Sequence, residues 1–218
     1  MGNISELKLG GICLAIGPAM ATAIFIIFFL ILGDSNIDIT DFSAVSKDVS
    51  SAPVIEQLLL FLPPIGLIMA YYGMTVIQGT IGKGETGEAL FKLGLPMFGI
   101  NVITAVITIG GMWQAQAWVG ASGTNIAAIA QGISLYSGMI GAIGIVLISL
   151  ALSTRDEFNN LFAYVIAFVF LVVAILSIIG MTNFTEDTWK IVNALFGISY
   201  IIISLWSIYL GLNMWKRA

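Results

Sequence analysis

Six long apolar stretches run through this chain, and none carries a charged residue in its interior. That pattern leaves few ways to fold. Lipid tolerates only helices and closed barrels, because every backbone N–H and C=O must be paired within the protein. The stretches lack the apolar–polar alternation of barrel strands, so they read as transmembrane helices. They cover about residues 9–32, 58–81, 93–119, 127–153, 161–181 and 191–215. A helix needs roughly 20 apolar residues to cross a bilayer. Six of them use up nearly all of the 218 residues. The expectation is therefore an all-α integral membrane protein, a polytopic bundle of six transmembrane helices forming one domain over 1–218. No room is left for a soluble domain of even ~50 residues. Composition agrees: 9% of residues are charged, against about a quarter in soluble domains.

The connections set the orientation. Lys8, Lys83, Lys92, Arg155, Lys216 and Arg217 fall on one side, and only Lys47 and Lys190 on the other. Basic residues gather in cytoplasmic loops, so both termini are expected inside (N-in/C-in). The acidic stretch 33–57 then forms an outer loop. Trp113, Trp118 and Trp189 would sit near the outer interface and Trp215 near the inner one. The first apolar run is too long for a signal-peptide core and is expected to stay as an uncleaved helix. The bilayer is the first partner, and the bias suits a bacterial or archaeal plasma membrane. A net charge of −4 spread over loops gives no nucleic-acid footprint.

Small residues at helical spacing mark packing faces. Gly11, Ala15, Ala19 and Ala23 recur every four residues in the first helix, and Ser137 and Gly141 form a similar pair in the fourth. Such spacing lets two helix backbones approach closely. The copies could lie within this chain or in other membrane subunits. Pro18 interrupts the first helix and is expected to kink it. Pro63 and Pro64, side by side in the second, remove two donors and mark a kink or a break.

Two helices carry neutral polar stripes. In the third, Asn101, Thr104, Thr108, Gly111 and Ala115 share one face, with Gln114 and Gln116 near the end. In the sixth, Asn193, Gly197, Tyr200, Ser204, Ser207 and Gly211 follow the same rhythm. Stripes of this kind either line a path for a small solute or hydrogen-bond helix to helix. The solute-path candidates are Asn101, Thr104, Thr108, Tyr200 and Ser204. Glu56, at the outer end of the second helix, reads as an interfacial carboxylate.

Missing residue types narrow the chemistry. The chain has no histidine and a single cysteine, Cys13, in the first helix. It offers no zinc or di-iron ligand set, no P-loop and no Ser–His pair. No acidic or basic group lies at membrane depth to relay protons. Neither enzyme activity, nor a metal, nor a cofactor is expected.

The halves echo each other faintly. Gly73-Met74-Thr75 closes the second helix and Gly180-Met181-Thr182 the fifth. Phe98-Gly99-Ile100 opens the third and Phe196-Gly197-Ile198 the sixth. A three-plus-three repeat would be inverted in the membrane. The segment Lys83 to Phe91, with Gly94 after it, is similar to the loop that follows the second helix in acetate uptake transporters. That resemblance implies six helices around a narrow uncharged path for a small monocarboxylate. It spans about a dozen residues. The family's Asn-Pro-x-Pro opening of the first helix is absent, since Leu9-Gly10-Gly11 stands there.

Two functions fit these observations. One is a passive or weakly coupled facilitator or channel for a small neutral or weakly ionised solute. The other is a noncatalytic accessory subunit of a larger membrane complex, docked through its small-residue faces.

Overall fold

The computed structural model describes residues 4–27, 38, 40–81, 83–85, 87–155 and 157–218, with the side chains of Gln114, Ala117, Gly120 and Ala121 left out. All of its regular structure in that range is helical. The elements are α1 (Glu6–Ile27), α2 (Phe42–Ser51), α3 (Val54–Leu59), α4 (Leu62–Thr80) and α5 (Glu88–Ala105). A π-helical segment, Val106–Met112, continues α5 into α6 (Trp113–Val119). A 3₁₀ turn, Gly120–Gly123, leads to α7 (Thr124–Leu152), followed by α8 (Asn160–Thr182) and α9 (Glu186–Arg217). Among the described residues, six helical stretches are long and apolar enough to cross a membrane: α1, α3–α4, α5 with its π segment, α7, α8 and α9. These support a multi-pass membrane protein.

Local chemistry explains where the helices begin. Asn159 caps α8 by accepting from Phe162 N, and Thr185 caps α9 by accepting from Thr188 N. Asp41 caps α2 by accepting from Ser43 N and Ala44 N. Gly87, at φ 94°, turns the chain into α5 in a left-handed conformation that suits glycine. Pro63 and Pro64 fall in the first turn of α4, where a missing N–H leaves nothing unpaired. They therefore begin a helix instead of kinking one. The expected single helix over 58–81 is the short α3, a turn at Leu60-Phe61, and α4.

The segment between the first two long helices also differs from a plain loop over 33–57. Its second half folds into α2 and α3. Residues 28–37 lie outside those described, so the expected end of the first helix at 32 does too. α2 packs on α6, the 3₁₀ turn and the start of α7.

The six long stretches form a closed ring. Each contacts its neighbours in chain order: α1 with α4, α4 with α5, α5 with α7, α7 with α8, α8 with α9, and α9 back to α1. Glycine lets the tightest of these contacts form. A Cβ on Gly11 would lie 2.7 Å from the Gly211 carbonyl oxygen of α9. On Gly94 of α5, it would lie 2.6 Å from the Gly144 carbonyl oxygen of α7. In α1, Gly17 meets Gly66 of α4 so closely that neither position has space for a side chain. Dispersion between backbones in such contact holds helices together where lipid supplies no hydrophobic drive.

The expected packing stripe divides accordingly. Gly11 and Ala15 meet Gly211 of α9, whereas Ala19 is half-buried and Ala23 exposed. A second face of α1, built on Gly10 and Gly17, meets α4. In α7, Gly141 packs on the Asn101 side chain, where an added Cβ would lie 2.5 Å from Asn101 Cβ, and Ser137 is buried.

Candidate functional site: a neutral cavity inside the helix ring

The ring encloses a cavity of about 270 Å³. Ligand pockets start at roughly 300 Å³, so this space suits a small solute. All six long stretches contribute to its wall. Pro18 and Phe25 come from α1, Leu67, Ala70 and Met74 from α4, and Phe170 and Val173 from α8. Polar groups come from the other three. Asn101 and Thr108 lie on α5 and its π segment, Gln131, Ser134 and Ser137 on α7, and Asn193, Ser199, Tyr200 and Ser207 on α9. Among the described residues, no Asp, Glu, Lys or Arg lines it. Such a wall can donate and accept hydrogen bonds but offers no fixed charge to balance an ion.

The cavity is not centred along the bundle. It reaches the first turns of α9 through Trp189 and Asn193, and its far limit is set by Met74, Ile145 and Ser207. Beyond that limit the ring fills with apolar side chains. Ile77, Phe91, Leu95, Ile148, Leu152, Leu210 and Met214 are each no more than 4% exposed.

The two ends of the ring are finished differently. At the filled end, Arg155 donates to the Thr80 carbonyl (3.3 Å) and pairs with Glu85 (3.6 Å) and Glu157 (3.0 Å). Arg217 pairs with the same Glu157 carboxylate at 2.5 Å and donates to its backbone carbonyl at 3.0 Å. The cluster ties the ends of α4 and α9 to the turn between α7 and α8. Partial burial pushes the Glu157 carboxyl up, but the Arg217 and Arg155 hydrogen bonds outweigh it and hold it below its ordinary value. Lys8 lies over the Trp215 ring, 5.8 Å from its centroid, at the same end.

At the cavity end the contacts are aromatic. Phe42 of α2 stacks on Phe184 at 5.6 Å, Phe184 meets Trp189 at 5.5 Å, and Trp189 meets Phe196 edge-on at 6.5 Å. The last two rings of this series line the cavity.

The expected path residues fall in two groups. Asn101, Thr108 and Tyr200 line the cavity. Thr104 does not; its hydroxyl turns back to the Ile100 and Asn101 carbonyls, each at 2.9 Å. Ser204 lies instead in the contact between α1 and α9. Thr22 donates to the Tyr200 carbonyl at 3.1 Å, and Ser204 Oγ sits 2.6 Å from Thr22 Oγ1 and 3.0 Å from the Pro18 carbonyl. This clasp braces α1 at its proline.

Sequence reading did not pick out two parts of the wall. On the polar face of α7, Ser134 and Ser137 stand in a stripe of glycines and read as packing, and Gln131, one turn earlier, gives no signal of its own. The π segment gave no signal beyond Gly110-Gly111. Nothing lies within 4 Å of a Cβ built on either glycine, so tight packing does not explain them. π segments within α-helices often occur at functional sites. This one carries Thr108, which lines the cavity and donates to the Thr104 carbonyl. Gln116, in α6, is buried with its Oε1 unpartnered. The side chain of Gln114 lies outside the described residues. Among the described residues, no three His, Cys, Asp or Glu side chains gather in one place.

The architecture defines a class: an all-α protein whose six membrane-length helices enclose a neutral cavity. Comparison with protein-family models, curated proteins and solved structures finds no match for the chain.

Proposed function

We propose that this protein is a membrane facilitator for a small neutral or weakly ionised solute, which crosses through the centre of the helix ring. The cavity carries this reading. It is lined by all six long stretches, sized for a small molecule, and walled by neutral hydrogen-bonding groups and aromatic faces. Those groups replace part of the solute's hydration, while the lack of charge among the described wall residues disfavours ions. The basic-residue bias puts the Arg155 end in the cytoplasm and the Trp189 end outside, in a plasma membrane. An accessory subunit would need no such cavity, which is why transport is preferred.

Reconstitution tests the proposal. Full-length protein in liposomes should raise permeability to at least one of urea, glycerol, formamide and undissociated acetic acid in stopped-flow assays. Ser134→Leu and Asn101→Leu should each cut that flux severalfold while the protein still folds and inserts. Thr104→Val should leave it near wild type, because that hydroxyl is engaged by its own helix. If no solute in a broad panel crosses, the proposal fails. Stoichiometric partner proteins recovered after mild extraction would then favour the subunit role.

A further inference from the structure

The two tripeptide echoes belong to a longer correspondence, seen once the helices are paired by their place in the ring. Gly11-Ile12-Cys13-Leu14 and Gly17 of α1 match Gly132-Ile133-Ser134-Leu135 and Gly138 of α7. In α4, Phe61, Ile68 and Gly73-Met74-Thr75 match Phe168, Ile175 and Gly180-Met181-Thr182 of α8. At the start of α5, Glu88, Phe91-Lys92 and Phe98-Gly99-Ile100 match Glu186, Trp189-Lys190 and Phe196-Gly197-Ile198 of α9.

The structure gives the matched residues matching contacts. Leu14 packs on Gly73 between α1 and α4, and Leu135 packs on Gly180 between α7 and α8. Gly17 faces Ala70, and Gly138 faces Ser177 at the corresponding place. Lys92 pairs with Glu88 and Lys190 with Glu186, at opposite ends of the bundle. Phe98 and Phe196 both line the cavity. Ring order agrees as well: α1–α4–α5 and α7–α8–α9 have equivalent neighbours, and an odd number of crossings inverts one set relative to the other.

Equivalent contacts are not equally tight. A Cβ on Gly17 would lie 3.2 Å from Ala70 N, with Gly66 closer still, whereas one on Gly138 would be 3.9 Å from Ser177 Oγ. Ser134 lines the cavity, while its counterpart Cys13 is buried at 9% exposure. One repeat is therefore closed where its copy is open. The matched positions hold both packings, and two packings of similar energy are what a conformational switch needs.

We infer that the repeats exchange these packings, so that the cavity at the Trp189 end alternates with an equivalent cavity at the Arg155 end, with Cys13 in its wall. The inference rests on the transport reading for its purpose: it makes the protein a carrier with alternating access, not an open pore. In the second state α1 separates from α4 as α7 now stands from α8. The Arg155–Glu157–Arg217 cluster has to part.

The native cysteine reports the exchange. Membrane vesicles of each orientation would be treated with a charged, impermeant methanethiosulfonate reagent. Cys13 in the unaltered protein should react from the face that carries Arg155 and not from the other. In a Cys13→Ser background, Ser134→Cys should react from the opposite face. Arg217→Ala weakens the cluster and should raise the Cys13 rate roughly two- to fivefold, the range an exposed ion pair allows. The same substitution should lower the Ser134→Cys rate. Reciprocal change is the signature. The inference is overturned if Cys13 reacts only after denaturation in both proteins, or if the two rates rise together, which describes a pore. Liposome flux with a silent Cys13 would sink the switch and leave the transport reading intact. Reciprocal labelling with no flux would do the reverse.

Discussion

The Arg155 end and the Trp189 end of this ring share scattered matched residues and are finished in opposite ways. At the first, glycines bring backbones into contact, large apolar side chains fill the interior, and ion pairs clamp the rim. At the second, the same helix pairs stand slightly apart, neutral polar groups surround a cavity, and rings meet at its edge. The comparison teaches that helix type and crossing order do not decide where such a protein is hollow. A Cβ on Gly17 would press into the Gly66 carbonyl oxygen and one on Gly138 would meet its nearest neighbour at 3.9 Å, and this difference in helix approach accompanies the one-sided placing of the cavity.

The largest test is steric and compares equivalent positions in the two sets of helices, both at the level of the cavity. Gly17→Ala places a methyl group against the Gly66 carbonyl and 2.8 Å from Met69 Cβ. Overpacking against backbone costs about 1–3 kcal/mol or more. Gly138→Ala, the matching change in α7, meets only Ser177 Oγ at 3.9 Å and should stay within about 0.5 kcal/mol of wild type. Thermal denaturation in detergent should separate the two variants clearly. Equal losses would break the contrast.

A smaller effect is expected from the clasp at Pro18. Ser204→Ala removes the hydroxyl between Thr22 and the Pro18 carbonyl. Interhelical hydrogen bonds in membrane proteins average about 0.6 kcal/mol and reach roughly 1.7. The same stability assay should show a loss in that range. Thr104→Val should show almost none, since it breaks no contact between helices.

The smallest effect concerns the ion-pair rim. Glu157 is partly exposed, so its loss is expected to matter by no more than ~1 kcal/mol. The pH dependence identifies it. Its carboxyl is held below the ordinary value in the folded protein, so its contribution is present above the unfolded pKa of about 4.3. That contribution fades as pH falls through the lower folded value. The stability gap between wild type and Glu157→Gln should therefore be open at pH 7 and narrow below about pH 4.

Much of this architecture was legible in the residues. Six uncharged apolar runs identify six helices directly, because the length and composition demanded by lipid are hard to mimic by chance. Helix ends were less legible. Glu88 and Glu186 begin α5 and α9 outside the apolar runs, and each is held by a lysine one turn later. Prolines 63 and 64 stand inside an apolar run, and hydropathy cannot tell a helix start from a helix interior. The cavity was half legible. Asn101, Thr108 and Tyr200 stand out as polar residues at helical spacing. Ser134 and Ser137 share their spacing with a glycine stripe, so composition cannot say which face turns inward. Thr104 and Ser204 have the right residue type and rhythm, but a hydroxyl can satisfy itself on a nearby carbonyl, and only geometry shows that it does. The repeat stayed faint because loops of different length shift its three helix pairs by different amounts, from Cys13 to Ser134, Gly73 to Gly180 and Phe98 to Phe196.

The difference between the two ends can be measured most directly along α7. Single cysteines would be placed in a Cys13→Ser background at Gln131, Ser134, Ile148 and Leu152, and their thiol reaction rates compared in the folded, membrane-inserted protein. Gln131→Cys and Ser134→Cys should react readily, and Ile148→Cys and Leu152→Cys far more slowly. Equal reactivity at all four positions, or reaction confined to the last two, would contradict a cavity held at the Trp189 end above a closed Arg155 end.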